Sequence, residues 1–510
     1  MLAAISSATL FGVHGSPVRV EVHVGARGLP GYRLVGQPDA VCRESRDRVR
    51  AAVMSSELSW PDKPIVVNLA PSGVRKSGAG LDLAIAVGVL ASDGQVPLDA
   101  VARFAFLAEL GLDGALRPVS GVAPMVDSLG HAEVVTAPDS MVEACVAARG
   151  AAHTAPDLRA VIECLAGARA WDHVDPPHPS AAEAVADLAD VRGQPVPRHA
   201  LEVSAAGGHH LLLVGPPGSG KTMLAQRLPG LLPALDREQA LATTMAHSAG
   251  GLRLPSSGLV LTPPFRAPHH TSSTIGLVGG GSQQLRPGEV SLAHNGILFL
   301  DELGEFSRQS LEALREPLEE GVVRVTRAND RAVMPARFLL VGATNPCPCG
   351  GGAPGACECD DVARARYLRR LSGPLSDRFD LRVVVHKPAV DDLLEGEPGE
   401  PSAVVRRRVA AARARALERS GKLNGALGHD ELDEVAPLDR EAKALLRNEI
   451  EHDRLTGRGY HRVRRVARTI ADLAARDDDR VMLADVTLAL SLRAGLRPRR
   501  VETIAERWTA

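Results

Sequence analysis

The stretch Leu211-Leu-Leu-Val-Gly-Pro-Pro-Gly-Ser-Gly-Lys-Thr222 constrains this chain more than any other. Four apolar residues, Leu211 to Val214, read as a fully buried parallel strand. They run into the spacing Gly215-x-x-x-x-Gly220-Lys221-Thr222, and Met223-Leu-Ala-Gln-Arg-Leu228 then takes up helical periodicity. Strand, glycine loop and helix in that order make a phosphate loop. Gly215, Pro216, Pro217, Gly218, Ser219 and Gly220 let the backbone curl so that successive N–H groups point at phosphates, at the positive end of the following helix. Lys221 reaches the β- and γ-phosphates, and Thr222 holds Mg2+ through its hydroxyl. A chain organised around this loop is an α/β protein with a parallel sheet, and its ligand is ATP.

The second half of such a site lies further along, at Gly296-Ile-Leu-Phe-Leu-Asp301-Glu302. Another buried strand ends in two carboxylates, at the sheet edge where open α/β folds place ligands. Asp301 is expected to hold Mg2+ through water, and Glu302 to orient and activate the attacking water. A third strand, Phe338-Leu-Leu-Val-Gly-Ala-Thr-Asn345, ends in an amide that resembles the sensor 1 residue of AAA+ ATPases, which holds the lytic water near the γ-phosphate. Just beyond it, Cys347, Cys349, Cys357 and Cys359 form C-x-C, seven residues, C-x-C. Four thiolates can close a tetrahedral Zn2+ site. The one-residue gap within each pair is tighter than usual, so the cluster reads either as zinc or as four separate thiols. Cys42, Cys145 and Cys164 are scattered and read as small core residues.

Composition sets the frame around these motifs. A chain of 510 residues has room for about three domains. With 45% hydrophobic and 3% aromatic residues, its core has to be filled by Ala, Val and Leu. The net charge of −2 neither favours nor excludes nucleic acid, so local charge has to decide. The longest apolar run, Leu81 to Ala91, is too short to span a bilayer, and no membrane association is expected. The start, MLAAISSATLFG, lacks the basic segment of a secretory signal. Cysteine usage suits a reducing compartment, and these signals together point to the cytoplasm.

Residues 1–170 alternate strand and helix signals. Val18 to Val24 alternates with period two, Ser45 to Ser56 has helical spacing, Pro64 to Leu69 reads as a strand and Leu81 to Ala91 as a buried helix. Val67-Asn-Leu-Ala-Pro71, Lys76-Ser-Gly-Ala-Gly-Leu-Asp-Leu83 and Ala108-Glu-Leu-Gly-Leu-Asp-Gly-Ala-Leu-Arg-Pro-Val119 resemble the Lon-protease-type domain, an α+β unit on the fold of ribosomal protein S5 domain 2. That family cleaves peptides with a Ser–Lys dyad. Here the motif places Gly78 at the nucleophile position and Ala123 at the base position. Ser77 is one residue away, but no lysine stands near Ala123. Without nucleophile and base there is no covalent route, so the domain is expected to serve assembly or interaction.

Residues 171–188, with Asp175-Pro-Pro-His-Pro-Ser, read as a linker to a motor domain over 189–390. The motor opens on Gly193-Gln194, which resembles the adenine-side segment of AAA+ ATPases or is an ordinary turn. Between Met223 and Leu300 lie 78 residues, more than one crossover helix needs, so an insertion is implied. In the magnesium-chelatase branch of AAA+ proteins a helix-2 insertion here projects toward the ring pore. Arg266, His269 and His270 within it are candidates either to contact a threaded strand or to be structural. Leu371-Ser-Gly-Pro-Leu-Ser-Asp-Arg378 resembles an arginine-finger segment, in which Arg378 would act on a neighbouring subunit's γ-phosphate.

Asp391 to Ser402 reads as a second linker. Residues 403–510 are helical throughout and carry 23 Lys and Arg against 17 Asp and Glu, a local basic excess. Helices are expected at Val404 to Arg419, Arg440 to Asp453, His461 to Ala475 and Leu483 to Ala494. Thr456-Gly-Arg458-Gly resembles the sensor 2 motif of a lid domain, which gives Arg458 a contact with the γ-phosphate. Arg462, Arg464, Arg465 and Arg468 follow on one helix, as a solvated face, as intersubunit pairs or as a DNA-tracking row.

The string from Phe265 through Leu303, Asn345-Pro-Cys-Pro-Cys-Gly350 and the Leu371 segment together resemble the ComM/YifB family. That family is described as magnesium-chelatase-like AAA+ ATPases, with hexameric DNA helicases that drive branch migration of transforming DNA. The resemblance implies an ATP hydrolase that works as a homo-oligomeric, hexameric ring on single-stranded or branched DNA in recombination. Two alternatives stay open: a magnesium-chelatase-type motor that remodels a protein partner, and a scaffold that uses nucleotide as a switch. No D-x-S-x-S metal-adhesion motif is present to favour the chelatase.

Overall fold

The computed structural model describes residues 2–130, 132–172, 186–281, 284–326, 331–351, 357–360, 362–363, 365–367, 375–476 and 479–493. Most of the 171–188 linker, the Leu371 to Pro374 part of the finger segment and everything past residue 493 lie outside these.

The first sheet takes seven strands: β1 (Leu2–Phe11), β2 (His14–Val24), β3 (Gly31–Val35), β4 (Pro64–Ala70), β5 (Phe104–Leu107), β6 (Glu133–Thr136) and β7 (Ala152–Thr154), in the order β3-β4-β2-β1-β5-β6-β7. β2 runs antiparallel to both β1 and β4, and the other neighbours are parallel. Helix α1 (Ala40–Ser55) starts five residues before the helical spacing suggests, because Asp39 caps it by accepting from the Cys42 N–H at 2.8 Å. Helix α2 (Asp82–Ser92) is buried at all eleven positions, as its unbroken apolar run requires. The strand β1 was not legible as one. From Ser7 to Leu10 it is buried on both faces, so it shows no alternation.

The second sheet is parallel throughout. β8 (Leu211–Val214), β9 (Phe265–Arg266), β10 (Ile297–Leu300), β11 (Leu339–Thr344) and β12 (Leu381–Val384) stand in the order β9-β10-β11-β8-β12. The three strands expected from the sequence are its centre. The long span between β8 and β10 holds helix α6 (Arg237–Ala249), the edge strand β9, the short helix Thr274–Val278 and a hairpin of Gly279–Gly280 with Arg286–Pro287. A second hairpin, Val322–Thr326 with Arg331–Pro335, stands between β10 and β11. The alternation of Val323 and Val325 would have shown it.

The part of the chain that carries the first sheet packs directly on the part that carries the second. Helix α3 (Val122–Ser128) packs on α6, and Leu10, Val122, Met125 and Val126 share a core with Ala246, Leu277, Val290 and Met334. The Ala123 N–H, at the position a protease gives its base, donates to Glu143 at 2.9 Å and to the Ser248 hydroxyl at 3.3 Å. The Ser77 hydroxyl donates to the Leu10 carbonyl at 3.4 Å. Of these bonds, the one from Ala123 to Ser248 crosses to helix α6.

The C-terminal helices α7 (Ser402–Ser420), α8 (Arg440–Glu451), α9 (Gly457–Leu473) and α10 (Leu483–Ser491) fall where the periodicity puts them. Of these, α7 and α9 pack on α4 (Pro195–Gly207), which leads into β8, while α8 and α10 pack on each other and on α9. The arginine row of α9 is corrected by the structure. Arg464 is 4% exposed and donates to Asp433 at 2.6 Å and to the Leu432 carbonyl at 2.7 Å. Arg468 is 3% exposed and meets Asp472 at 2.7 Å, beside Arg419 and Asn424 on the same carboxylate. These two hold the lid together, and neither is a solvated face or a DNA-tracking residue. A buried guanidinium tolerates this only because carboxylates and carbonyls take its N–H groups.

Two histidines fasten the central strands in their neutral form. His210 Nδ1 accepts from the Leu340 N–H at 3.0 Å, and His294 Nδ1 accepts from the Arg337 N–H at 3.1 Å. Burial lowers both to about 4. An unfolded chain protonates them near 6.5 while the native chain does not, so they withdraw stability as pH falls from 6.5 toward 4. Asp82, raised to about 6 by burial despite Arg48, works in the opposite sense below about pH 6, over most of that window. Replacing both histidines by Asn, a neutral acceptor, should therefore flatten the loss of thermal midpoint between pH 6.5 and 4 relative to the parent chain. A melting series across that range checks it.

Candidate nucleotide site

The phosphate loop closes on itself through Lys221. Gly220 sits at φ +88°, a conformation open to glycine, and turns the chain into helix α5 (Lys221–Arg227). The Lys221 ammonium donates to the Gly215 carbonyl at 2.7 Å, to the Pro216 carbonyl at 2.9 Å and to Asn345 Oδ1 at 3.2 Å. It stands where a phosphate oxygen would take the same protons. Burial lowers its pKa, and the Asp301 and Glu302 carboxylates pull it back up.

Thr222 and Asp301 meet at the other side of the loop. The Thr222 hydroxyl donates to Asp301 Oδ2 at 2.7 Å, which brings two hard oxygen ligands to one point although 79 residues separate them. That donor set suits Mg2+. Glu302 follows at φ +50°, its carboxylate 3.2 Å from His270 Nδ1. Lys221, Thr222, Asp301, Glu302, Thr344 and Asn345 line one cavity of about 470 Å3, within the range of ligand sites. It can hold a polyphosphate, its cation and a water beside two carboxylates and an amide.

Gly193-Gln194 is a turn that also serves this site. Gln194, at φ +56°, starts α4 and donates from Nε2 to the Ser219 carbonyl at 2.9 Å and the His386 carbonyl at 3.2 Å. It lines a second cavity of about 380 Å3 with Val196, Val384, His386, Lys387 and Pro388, beside the phosphate loop. Gly193 lies just behind, against Asp392.

The insertion residues are engaged inside the chain. Arg266 forms a bidentate pair with Glu289 at 2.7 and 2.9 Å. His269 bonds Thr271 at 2.8 Å, and its ring lies 4.1 Å from that of His270. His270 and Glu302 were each legible as candidates, but their pairing was not, because β9 and β10 are distant in sequence and adjacent in space. Tyr367 was missed altogether; its hydroxyl lies 2.9 Å from that of Thr344, under the cavity.

The two remaining arginines do not line this cavity. Arg378 pairs with Glu319, and Arg458, with 85% of its side chain exposed, stands 3.8 Å from Asp377. Burial lowers the Arg378 pKa, and the positive charges of Arg462, Arg315 and Arg458 lower it further. Each arginine of this group has a carboxylate of its own chain beside it: Arg378 has Glu319, Arg458 has Asp377, Arg462 has Asp380 at 3.7 Å and Arg315 has Glu312 at 2.6 Å.

The four cysteines of the cluster come together beside Asn345, with every Sγ within 4.8 Å of the others, a grouping able to hold a metal ion. Among the described residues, no helix is long and apolar enough to cross a membrane.

Comparison with known proteins bears on the whole chain. Residues 187–393 match the family model of magnesium chelatase, subunit ChlI; residues 20–137 match subunit ChlI of Mg-chelatase; and residues 399–493 match its C-terminal part. An uncharacterised protein of Mycobacterium tuberculosis is 43% identical over 96% of this chain and 97% of its own. YifB of Escherichia coli is 41% identical over 93% of this chain and 94% of its own. The competence protein ComM of Haemophilus influenzae is 40% identical over 97% and 98%.

Replacing Lys221 by Ala should weaken ATP binding by about ten- to a hundredfold, the cost of losing charge-assisted hydrogen bonds. Thr222→Val should do so only when Mg2+ is present. Titration with a fluorescent ATP analogue, with and without the cation, measures both.

Proposed function

The chain belongs to the ComM/YifB family of magnesium-chelatase-like AAA+ ATPases, and on that premise we propose that it is a ring-forming, Mg2+-dependent ATP hydrolase that drives DNA. The observation that carries the ATPase is the convergence of Lys221, Thr222, Asp301, Glu302 and Asn345 on one cavity.

In this reading Lys221 leaves the loop carbonyls for the β- and γ-phosphates, and the loop N–H groups take the remaining oxygens. Thr222 and Asp301 would hold Mg2+, which would supply positive charge to the phosphates. Asn345 and Glu302 position the attacking water. As the water oxygen bonds to the γ-phosphorus, its proton passes to Glu302 and the bond to the β-phosphate oxygen breaks, leaving ADP and phosphate. His270 holds the Glu302 carboxylate aside until the nucleotide seats. Gln194 borders the base.

Arg378 and Arg458 act across a subunit boundary, a reading supported by the resemblance of their segments to the arginine finger and sensor 2 and by neither of them lining its own chain's cavity. There each would exchange its carboxylate for a γ-phosphate bound by the adjacent copy, which makes the site complete only in a ring, taken as a hexamer. The near full-length likeness to the competence protein ComM favours DNA, single-stranded or branched, as what the ring moves. Such a motor works on phosphates without reading bases.

Forked or four-way-junction DNA should raise ATP turnover several-fold, with an affinity that falls steeply as salt rises. Indifference to any DNA would move the reading to a protein-remodelling motor. Glu302→Gln should keep ATP binding and lose about a hundredfold or more in turnover. Lys221→Ala and Arg378→Ala should each be inactive alone, yet regain activity when mixed, since a hybrid seam pairs an intact cavity with an intact arginine. Assays of the mixture at equal ratio decide between action within and between subunits.

A further inference from the structure

We propose that Cys347, Cys349, Cys357 and Cys359 hold one Zn2+, and that this ion clamps the end of strand β11 against the phosphate loop. The distances favour a single tetrahedral ion. Cys347 and Cys349 Sγ are 3.4 Å apart, Cys349 and Cys357 3.7 Å, and Cys357 and Cys347 3.5 Å. A disulfide needs about 2.05 Å, far shorter than any of these. Four sulfurs about 2.3 Å from one ion stand roughly 3.8 Å from each other, close to the spacing found. The Cys349 N–H points at Cys359 Sγ at 3.4 Å, the kind of backbone support that ligand thiolates receive. A tetrahedral set of four sulfurs selects zinc or iron, and zinc needs no redox partner.

The placement of the cluster gives the ion its second role, and this part rests on the ATPase reading. Cys347 stands two residues after Asn345, which bonds Lys221. Gly350, inside the cysteine turn, has φ +80° and donates its N–H to the Cys347 carbonyl at 3.0 Å. A Cβ built on it would lie 2.5 Å from Pro217 Cδ, so the turn rests on the phosphate loop itself. On the far side of the cluster, Tyr367 returns to Thr344 and presses on Gly304, beyond Asp301 and Glu302. One ion therefore fixes a turn that touches the phosphate loop and the strand end that carries Asn345. Without it, a glycine-rich turn would have to hold that position by contact alone.

Metal analysis of the full-length protein as purified should give one zinc per chain. Loading with Co2+ in its place should give the absorption of a tetrahedral tetrathiolate site. Zinc absent, or iron in its place, overturns the proposal. Stripping the parent chain with a chelator should then lower ATP turnover at least about tenfold and weaken binding of a fluorescent ATP analogue, both restored by Zn2+ and not by Mg2+ alone. Gly350→Ala should keep its zinc yet bind the analogue more weakly. If stripped protein of unchanged oligomeric state binds and hydrolyses ATP like the loaded form, the clamp is overturned while the zinc count stands. If zinc-loaded protein binds no ATP, the ATPase reading fails and the metal site does not.

Discussion

The structure depends on the parallel hydrogen-bonded ladder of β10, β11, β8 and β12. In that ladder Leu300 pairs with Gly342, and Val214 pairs with both Thr344 and Val384. Parallel strands end at the same edge, so whatever follows each strand gathers there. The phosphate loop follows β8, the carboxylate pair follows β10, and the amide with its cysteine turn follows β11. Segments 79 and 44 residues apart, from Thr222 to Asp301 and from Asp301 to Asn345, thereby become one cavity. Were any of these strands antiparallel, its functional residue would lie at the opposite edge.

Charge is divided on the same plan. Inside the cavity one ammonium faces two carboxylates and an amide, a set that is nearly balanced before any ligand enters. Away from it, Arg378, Arg458, Arg462 and Arg315 gather closely enough to lower the Arg378 pKa, each with a carboxylate within 4 Å. The deeper arginines of the lid are a different matter. Arg464 and Arg468 are themselves buried, Arg468 with the buried Asp472 and Arg464 with backbone carbonyls and the exposed Asp433, and they hold helices together. Equal residue types on one helix therefore do unlike work, according to whether a partner lies within reach of the buried end. The first domain shows a comparable reassignment. Positions that would carry a peptide-cleaving dyad hold Gly78 and Ala123, and the second of these is consumed in docking on α6.

Much of the architecture was legible because its signals are local. The phosphate loop, the two apolar strands ahead of Asp301 and Asn345, and the four lid helices each declare themselves within a window of a dozen residues. Boundaries moved where a cap decided them, as Asp39 does for α1. Strand β1 escaped because burial on both faces erases alternation. The hairpin from Val322 to Pro335 escaped although its alternation was present.

The sequence alone determined the chemistry available: a loop that accepts phosphates, hard oxygens for Mg2+, a base, an amide, and four thiols in two close pairs. It did so because each of those depends on residue type and short spacing. Tertiary structure alone decided which groups meet. It brought His270 to Glu302, Tyr367 to Thr344 and Gly350 to Pro217, and it turned Arg464 and Arg468 inward. The reason is that strand order and helix packing are set by burial of whole faces, and no short window of the chain records which faces will be buried against each other.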